Sequence, residues 1–210
     1  MAPVTRGAAR RLADACDGDS HNNTNQLASL RQQLPAKKVV WESRNNLDAY
    51  THQSIDQVVS PQTDHVIEIQ FLEHSFVDGI IGSPSNYSAI ERETAAKHLR
   101  DQFNSTTNLN VTSMRVNLAK RGPHVAALNR LRNGSSLRDI SLEQLARQGR
   151  AKFLVESGIW KRVEDEIVRS YDSSISITQT TERMVTRRES RLIDESQECL
   201  HQLLERVGIF

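Results

Sequence analysis

Cysteine, proline and aromatic side chains are all scarce here: 2 Cys, 5 Pro and 5% Phe, Trp and Tyr in 210 residues. Cys16 and Cys199 lie near opposite ends and form neither a disulfide scaffold nor a metal-binding spacing. Two free thiols in a reducing compartment is the simple reading. No apolar run approaches the roughly 20 residues that a spanning helix needs, so a membrane partner is not expected. An excess of one charge is missing too, since 27 basic residues face 26 acidic ones for a net charge of +1. A nucleic-acid role therefore cannot follow from overall charge and has to come from local clustering. What remains is an ordinary, slightly polar composition, 25% charged and 37% hydrophobic, in a chain long enough for one good core or one core plus an appendage.

Along the chain, residues 1–25 are small, polar and charged, with Arg6, Arg10 and Arg11 set against Asp14, Asp17 and Asp19. Disorder is the expectation there, with a basic address or DNA-contacting arm as the alternative. Residues 26–34 read as a short helix ended by Pro35, and 37–41 as a strand or extended link. Leu47, Tyr50, Ile55 and Val58 fall near one side of a helix over 47–59. From Val66 to Ile81 the apolar density fits a buried helix, and a second follows over 86–103, where Ser88 and Glu91 offer a capping box. The alternation over 111–116 predicts a strand with Val111, Met114 and Val116 inward. Another capping box at Ser141 and Gln144 opens a short helix through Arg147. Amphipathic helices are expected over 159–171 and 178–207, separated by a Ser-rich break at 172–176. The apolar stripe of the last helix reads as docking on the core or, less often, as the coiled-coil seam of a homo-dimer. The fold class implied is mainly α with a small β component (α+β), divided as an N-terminal segment 1–25, a core 26–150 and a helical C-terminal region 151–210.

The chemistry concentrates in two stretches. Asp64 directly precedes His65, with Glu68 three residues on; Asn108 and Asn117 follow, and Asn117 leads into Lys120-Arg121-Gly122. Cleaving a phosphodiester at neutral pH needs a base to deprotonate water, which histidine suits, and a cation to absorb charge on the phosphate. This order of residues resembles that of HNH-type, or ββα-metal, nucleases. The resemblance implies a ββα-metal-like core with helical insertions, and endonuclease action on DNA with little sequence preference. By position it makes His65 the general base, Asn108 the residue that orients it, and Asp64 and Asn117 the ligands of Mg²⁺ or another divalent cation. Glu68 is a possible addition to the metal shell, or else an ordinary charged partner, and His124 is the reserve ligand. The chain departs from the family pattern in the long interval before Asn108 and in lacking a zinc knuckle. The run from Asp64 to Glu68 followed by a helical insertion also looks like the C-terminal domains of Crinkler-type secreted effectors, which implies action in a host nucleus.

Between Arg115 and Arg138 there are six basic residues (Arg115, Lys120, Arg121, Arg130, Arg132 and Arg138) and no acidic one. The first five are candidates for DNA phosphate contacts that are salt-sensitive and indifferent to sequence. Two other classes stay open: a non-catalytic DNA-binding module, and a helical interaction scaffold with no nucleic-acid role.

Overall fold

The computed structural model describes residues 34–82, 87–133, 141–181 and 186–210. The N-terminal segment, Arg138 and nearly all of the helix expected over 26–34 lie outside the described residues.

Two short strands, β1 (Pro61–His65) and β2 (Leu109–Ser113), pair antiparallel with Asp64 opposite Asn110 and His65 opposite Leu109. Two helices are inserted between them: α2 (Ile69–Gly82) and α3 (Ala89–Phe103). Directly after β2 the chain enters α4 (Met114–Arg132), so the order is strand, helical insertion, strand, helix. Ahead of β1 lies α1 (Lys37–Ser43). After α4 come the short α5 (Leu142–Ala146) and α6 (Lys152–Glu156), then the long α7 (Ile159–Thr181) and α8 (Arg187–Arg206). Mainly α with a small β component is thus the architecture, as expected.

Strand periodicity sorts the sheet's two faces. Leu109 and Val111 are buried with Val40 of α1 in a small cluster on one side. On the other side Asn110 and Thr112 meet the buried Asp48. The larger core gathers Phe71, Leu72 and Phe76 of α2, Leu99 and Phe103 of α3, and Trp160, Val163 and Ile167 of α7. The stripe Leu192, Ile193, Leu200, Leu203 and Leu204 of α8 is buried in that same core, so it docks within the chain and is not exposed as a seam.

Several local expectations are corrected. Residues 37–41 form a helix, not an extended link. Residues 47–59 are not helical; they fold as a turn closed by a Leu47–Ser54 bridge, followed by a 3-10 turn at Ile55–Gln57. The cause is local competition for backbone groups: the Asp48 carboxylate accepts from Tyr50 N–H (3.0 Å) and Thr51 Oγ1 (2.7 Å). β2 ends at Ser113, whose hydroxyl caps α4 by accepting from Val116 N–H, and Met114 is 44% exposed instead of inward. α7 runs through the expected Ser-rich break, because Ser170 and Ser174 are buried, and the Ser170 hydroxyl donates to Thr107 O (2.8 Å). α8 starts later than expected, at a Thr186 and Glu189 capping box.

α4 runs through Gly122 and Pro123 without a break; a residue with a Cβ directly before proline disfavours helical backbone, so glycine at 122 eases the passage.

Candidate functional site

β1 delivers Thr63, Asp64 and His65, the turn before α2 delivers Glu68, and successive exposed turns of α4 deliver Asn117 and Arg121. Together with Leu34 and Ile69 these residues line one pocket of about 170 Å³. Two segments more than forty residues apart thus meet at a common site, as the motif order requires, and five of the expected residues (Asp64, His65, Glu68, Asn117 and Arg121) share it.

The floor of the pocket is an ion-pair corner. The Lys120 ammonium is 0% exposed and lies 3.0 Å from Asp64 Oδ2 and 3.1 Å from Glu68 Oε1. It also donates to the carbonyls of His65 and Val66. Tyr50 OH donates to Asp64 Oδ2 at 2.8 Å. Burial lowers the affinity of Lys120 for its proton, but Asp64 and Glu68 outweigh this and raise its pKa, so it stays an ammonium. Burial pushes the Asp64 carboxyl up to about 6, against the pull of Lys120 and with the push of Glu68. At Glu68 burial also acts upward, but Lys120, followed by His124 and His65, holds the carboxyl below its ordinary value. Expected among the phosphate contacts, Lys120 instead cannot reach a phosphate, because every face of its ammonium is enclosed by protein oxygens.

His65 is half-buried, and its Nε2 lies 2.9 Å from Asn104 Oδ1. An amide oxygen only accepts, so this contact puts the proton on Nε2 and makes Nδ1 the basic nitrogen. The orienting residue is therefore Asn104, at the C-terminal cap of α3, in place of Asn108. Asn108 is 0% exposed and clamps backbone: its Oδ1 accepts from Ile67 N–H (2.8 Å), and its Nδ2 donates to Phe103 O (3.0 Å) and Ile67 O (3.3 Å). That clamp fixes the turn between β1 and α2, so Asn108 acts on the site through the backbone. Neither Asn104 nor Tyr50 carries a signal in the sequence that sets it apart from other polar residues near helix ends.

The remaining expected residues lie elsewhere. Asn117 Nδ2 donates to Gln62 Oε1 (3.1 Å), so its carbonyl oxygen is the atom that would have to meet a cation. Arg115 and Arg130 are exposed on α4 outside the pocket; the Arg132 side chain is outside the described residues. His124, the reserve ligand, is 0% exposed and does not line the pocket. Its Nδ1–H donates to Lys120 O (2.8 Å), and its ring sits between Phe71 and Trp160, with centroids 5.2 and 6.1 Å away.

A divalent ion does not fit the Asp64 and Asn117 pair as arranged. Lys120 already occupies the Asp64 carboxylate, and a doubly charged ion roughly 4 Å from that ammonium meets about 8 kcal/mol of repulsion at an effective dielectric constant of about 20. Among the described residues no group of three or more His, Cys, Asp or Glu could hold a metal. A resident ion at about a hundredfold its Kd adds about 2.7 kcal/mol of stability, roughly 5–10 °C in melting midpoint for a chain of this size. EDTA or added magnesium should leave the midpoint unchanged; a rise of that size with magnesium would place an ion in the corner.

Burial pushes the His124 imidazole down to about 4, against the pull of Glu68. Its folded value lies below the unfolded one of about 6.5, so its contribution is intact above pH 6.5 and is lost as pH falls toward 4. The loss is on the order of 3 kcal/mol. Asp64, raised to about 6, acts in the opposite sense, stabilising the fold more as pH falls from 6 toward 4. The His124 share is isolated by comparison with His124→Gln: urea unfolding from pH 7 to 4 should show a flatter acid loss in the variant, and parallel curves would count against a buried neutral imidazole.

Comparison with protein-family models, with characterised proteins and with solved structures finds no match for this chain. Among the described residues no helix is long and apolar enough to cross a membrane.

Proposed function

We propose that this chain is an HNH-like hydrolase of phosphodiester bonds in DNA, with His65 as the base and Arg121 as the phosphate-binding cation. The observation that carries the reading is the shared pocket: an imidazole oriented by an amide, an arginine and an asparagine converge from two remote segments on a strand, strand and helix frame. His65 Nδ1 takes the proton of the attacking water as its oxygen bonds to phosphorus, the P–O bond to the leaving sugar oxygen breaks and that oxygen takes a proton from solvent, and Arg121, exposed at the rim, pairs with the phosphate oxygens. Glu68 and Asp64 hold Lys120, and through it the carbonyls of His65 and Val66, so the base keeps its direction. Magnesium, which the resemblance implies, is given no step because the donor set does not accommodate it.

A second reading, a DNA-binding module that does not cleave, is favoured by one specific observation: an ammonium stands against the carboxylate that a catalytic cation would use. Nicking of supercoiled plasmid in the presence of magnesium separates the two. Wild type should nick, and His65→Ala should lose at least about a hundredfold of the rate, the contribution typical of a positioned base. Equal rates in the two proteins would refute catalysis by His65, and retention of plasmid without nicking would leave the binding module.

A further inference from the structure

α4 presents a second, different cleft on the far side of its exposed face. Arg115, Leu118 and Ala119 of α4 meet Arg150 and Phe153 across an opening of about 290 Å³. The Arg115 guanidinium lies over the Phe153 ring, 4.2 Å from its centroid. Leu118 is 50% exposed beside it, and Met114, one turn earlier, is 44% exposed. Arg115 and Arg150 have no carboxylate partner among the described residues. Two uncompensated guanidinium groups over an aromatic and aliphatic floor ask for an occupant that is both anionic and flat.

We infer that this cleft is a base-stacking subsite for single-stranded DNA, and that the substrate of the His65 pocket is a single strand or an unpaired segment. The inference rests on the phosphodiesterase reading and names its substrate class. Arginine planes and aromatic rings hold unpaired bases by stacking, a surface that a closed duplex does not offer because its bases stack on each other. Arg115 and Arg121 are six residues apart on one helix, about 9 Å along its axis and about 120° apart around it. A strand with a phosphate at Arg121 therefore passes around α4 to bring a base several positions away to the Arg115 and Phe153 platform. Phe153 backs one face of the Arg115 guanidinium; an acidic peptide would satisfy the charge of the two arginines but leave the outer face of that guanidinium uncovered.

Fluorescence anisotropy with a labelled oligothymidylate of about 12 nucleotides, within the usual site size for single strands, and with a duplex of the same length tests this. Wild type should bind the single strand at least about tenfold more tightly than the duplex. Arg115→Lys keeps the charge and removes the plane, so it should weaken single-strand binding by about tenfold, the share of one stacked base, while duplex binding and the melting midpoint hold. Arg150→Ala should weaken both. Equal affinity for single strand and duplex, an Arg115→Lys protein indistinguishable from wild type, or polyglutamate displacing the strand at comparable charge concentration would each overturn the assignment. Failure of the nuclease reading looks different: the single strand is still bound through Arg115, but His65→Ala and wild type nick alike.

Discussion

Replacing Lys120 by Met should cost the protein about 3–5 kcal/mol at pH 7, the scale measured when one partner of a buried ion pair is removed. Asp64 and Glu68 are 4% and 7% exposed, and both carboxylates rely on the same ammonium. Methionine fills most of the volume but takes the ammonium away from two facing carboxylates and from the carbonyls of His65 and Val66, leaving Asp64 only its bond from Tyr50 OH. The loss should shrink on acidification. Without Lys120, both burial and mutual repulsion raise the carboxyl values, so protonated forms favour the folded state and stability returns as pH falls from 7 to 5. Lys120→Met combined with Asp64→Asn should recover part of the loss at pH 7, because only one carboxylate then remains. Urea unfolding at the two pH values measures both effects. A single variant within about 1 kcal/mol of wild type would mean that the corner is solvated and that Lys120 is free to serve the pocket, as the basic run first suggested.

Asp48→Ala should be comparably damaging, about 3–6 kcal/mol. Asp48 is 0% exposed, and no cation pairs with it among the described residues; instead its carboxylate collects donors. Tyr50 N–H (3.0 Å) and Thr51 Oγ1 (2.7 Å) come from its own turn, and Asn110 Nδ2 (2.9 Å) and Thr112 Oγ1 (2.8 Å) from β2. Three of these donors are buried, and each left unsatisfied costs about 1–3 kcal/mol. The turn carries strain that these bonds oppose, since Asn45, Asn46 and His52 adopt φ of 55°, 58° and 58°. Because the turn also positions Tyr50 on Asp64, the variant should loosen the site as well as the fold. Asp48→Asn keeps one acceptor and should lose about half as much. Chemical denaturation ranks the three proteins, and equal stability of all three would show that water replaces the carboxylate.

These two residues mark where reading from sequence succeeds and where it stops. The helices α2 and α3 are legible because apolar density and the Ser88 and Glu91 box are local signals, and α5, α7 and α8 follow in outline for the same reason, whereas the start of α4 is hidden by an alternation over 111–116 that imitates a strand. The Asp64 and Asn117 stretches are paired in the sequence by the resemblance to a nuclease motif alone, and the two do line one pocket. The Asp48 turn is not, since apolar spacing over 47–59 imitates a helix and the carboxylate that defeats it acts through β2, more than sixty residues away. Lys120 is misread for a related reason. A lysine in a basic run looks like a surface charge, and only the packing of α4 against β1 shows that it faces two acids. The Thr186 and Glu189 box was available as a local signal, and it overrides the earlier helix start that amphipathic spacing suggests.

The claim on which the account turns is that a phosphodiester binds between His65 and Arg121. Side-chain NMR titration with a short oligothymidylate reads this directly, following the imidazole resonances of His65 and the Nε–H resonances of the arginines. His65 and Arg121 should shift together with one common Kd, while His124, enclosed beside Phe71 and Trp160, stays still. Shifts confined to Arg130 and the other outlying cations, with His65 unmoved at saturation, would contradict it.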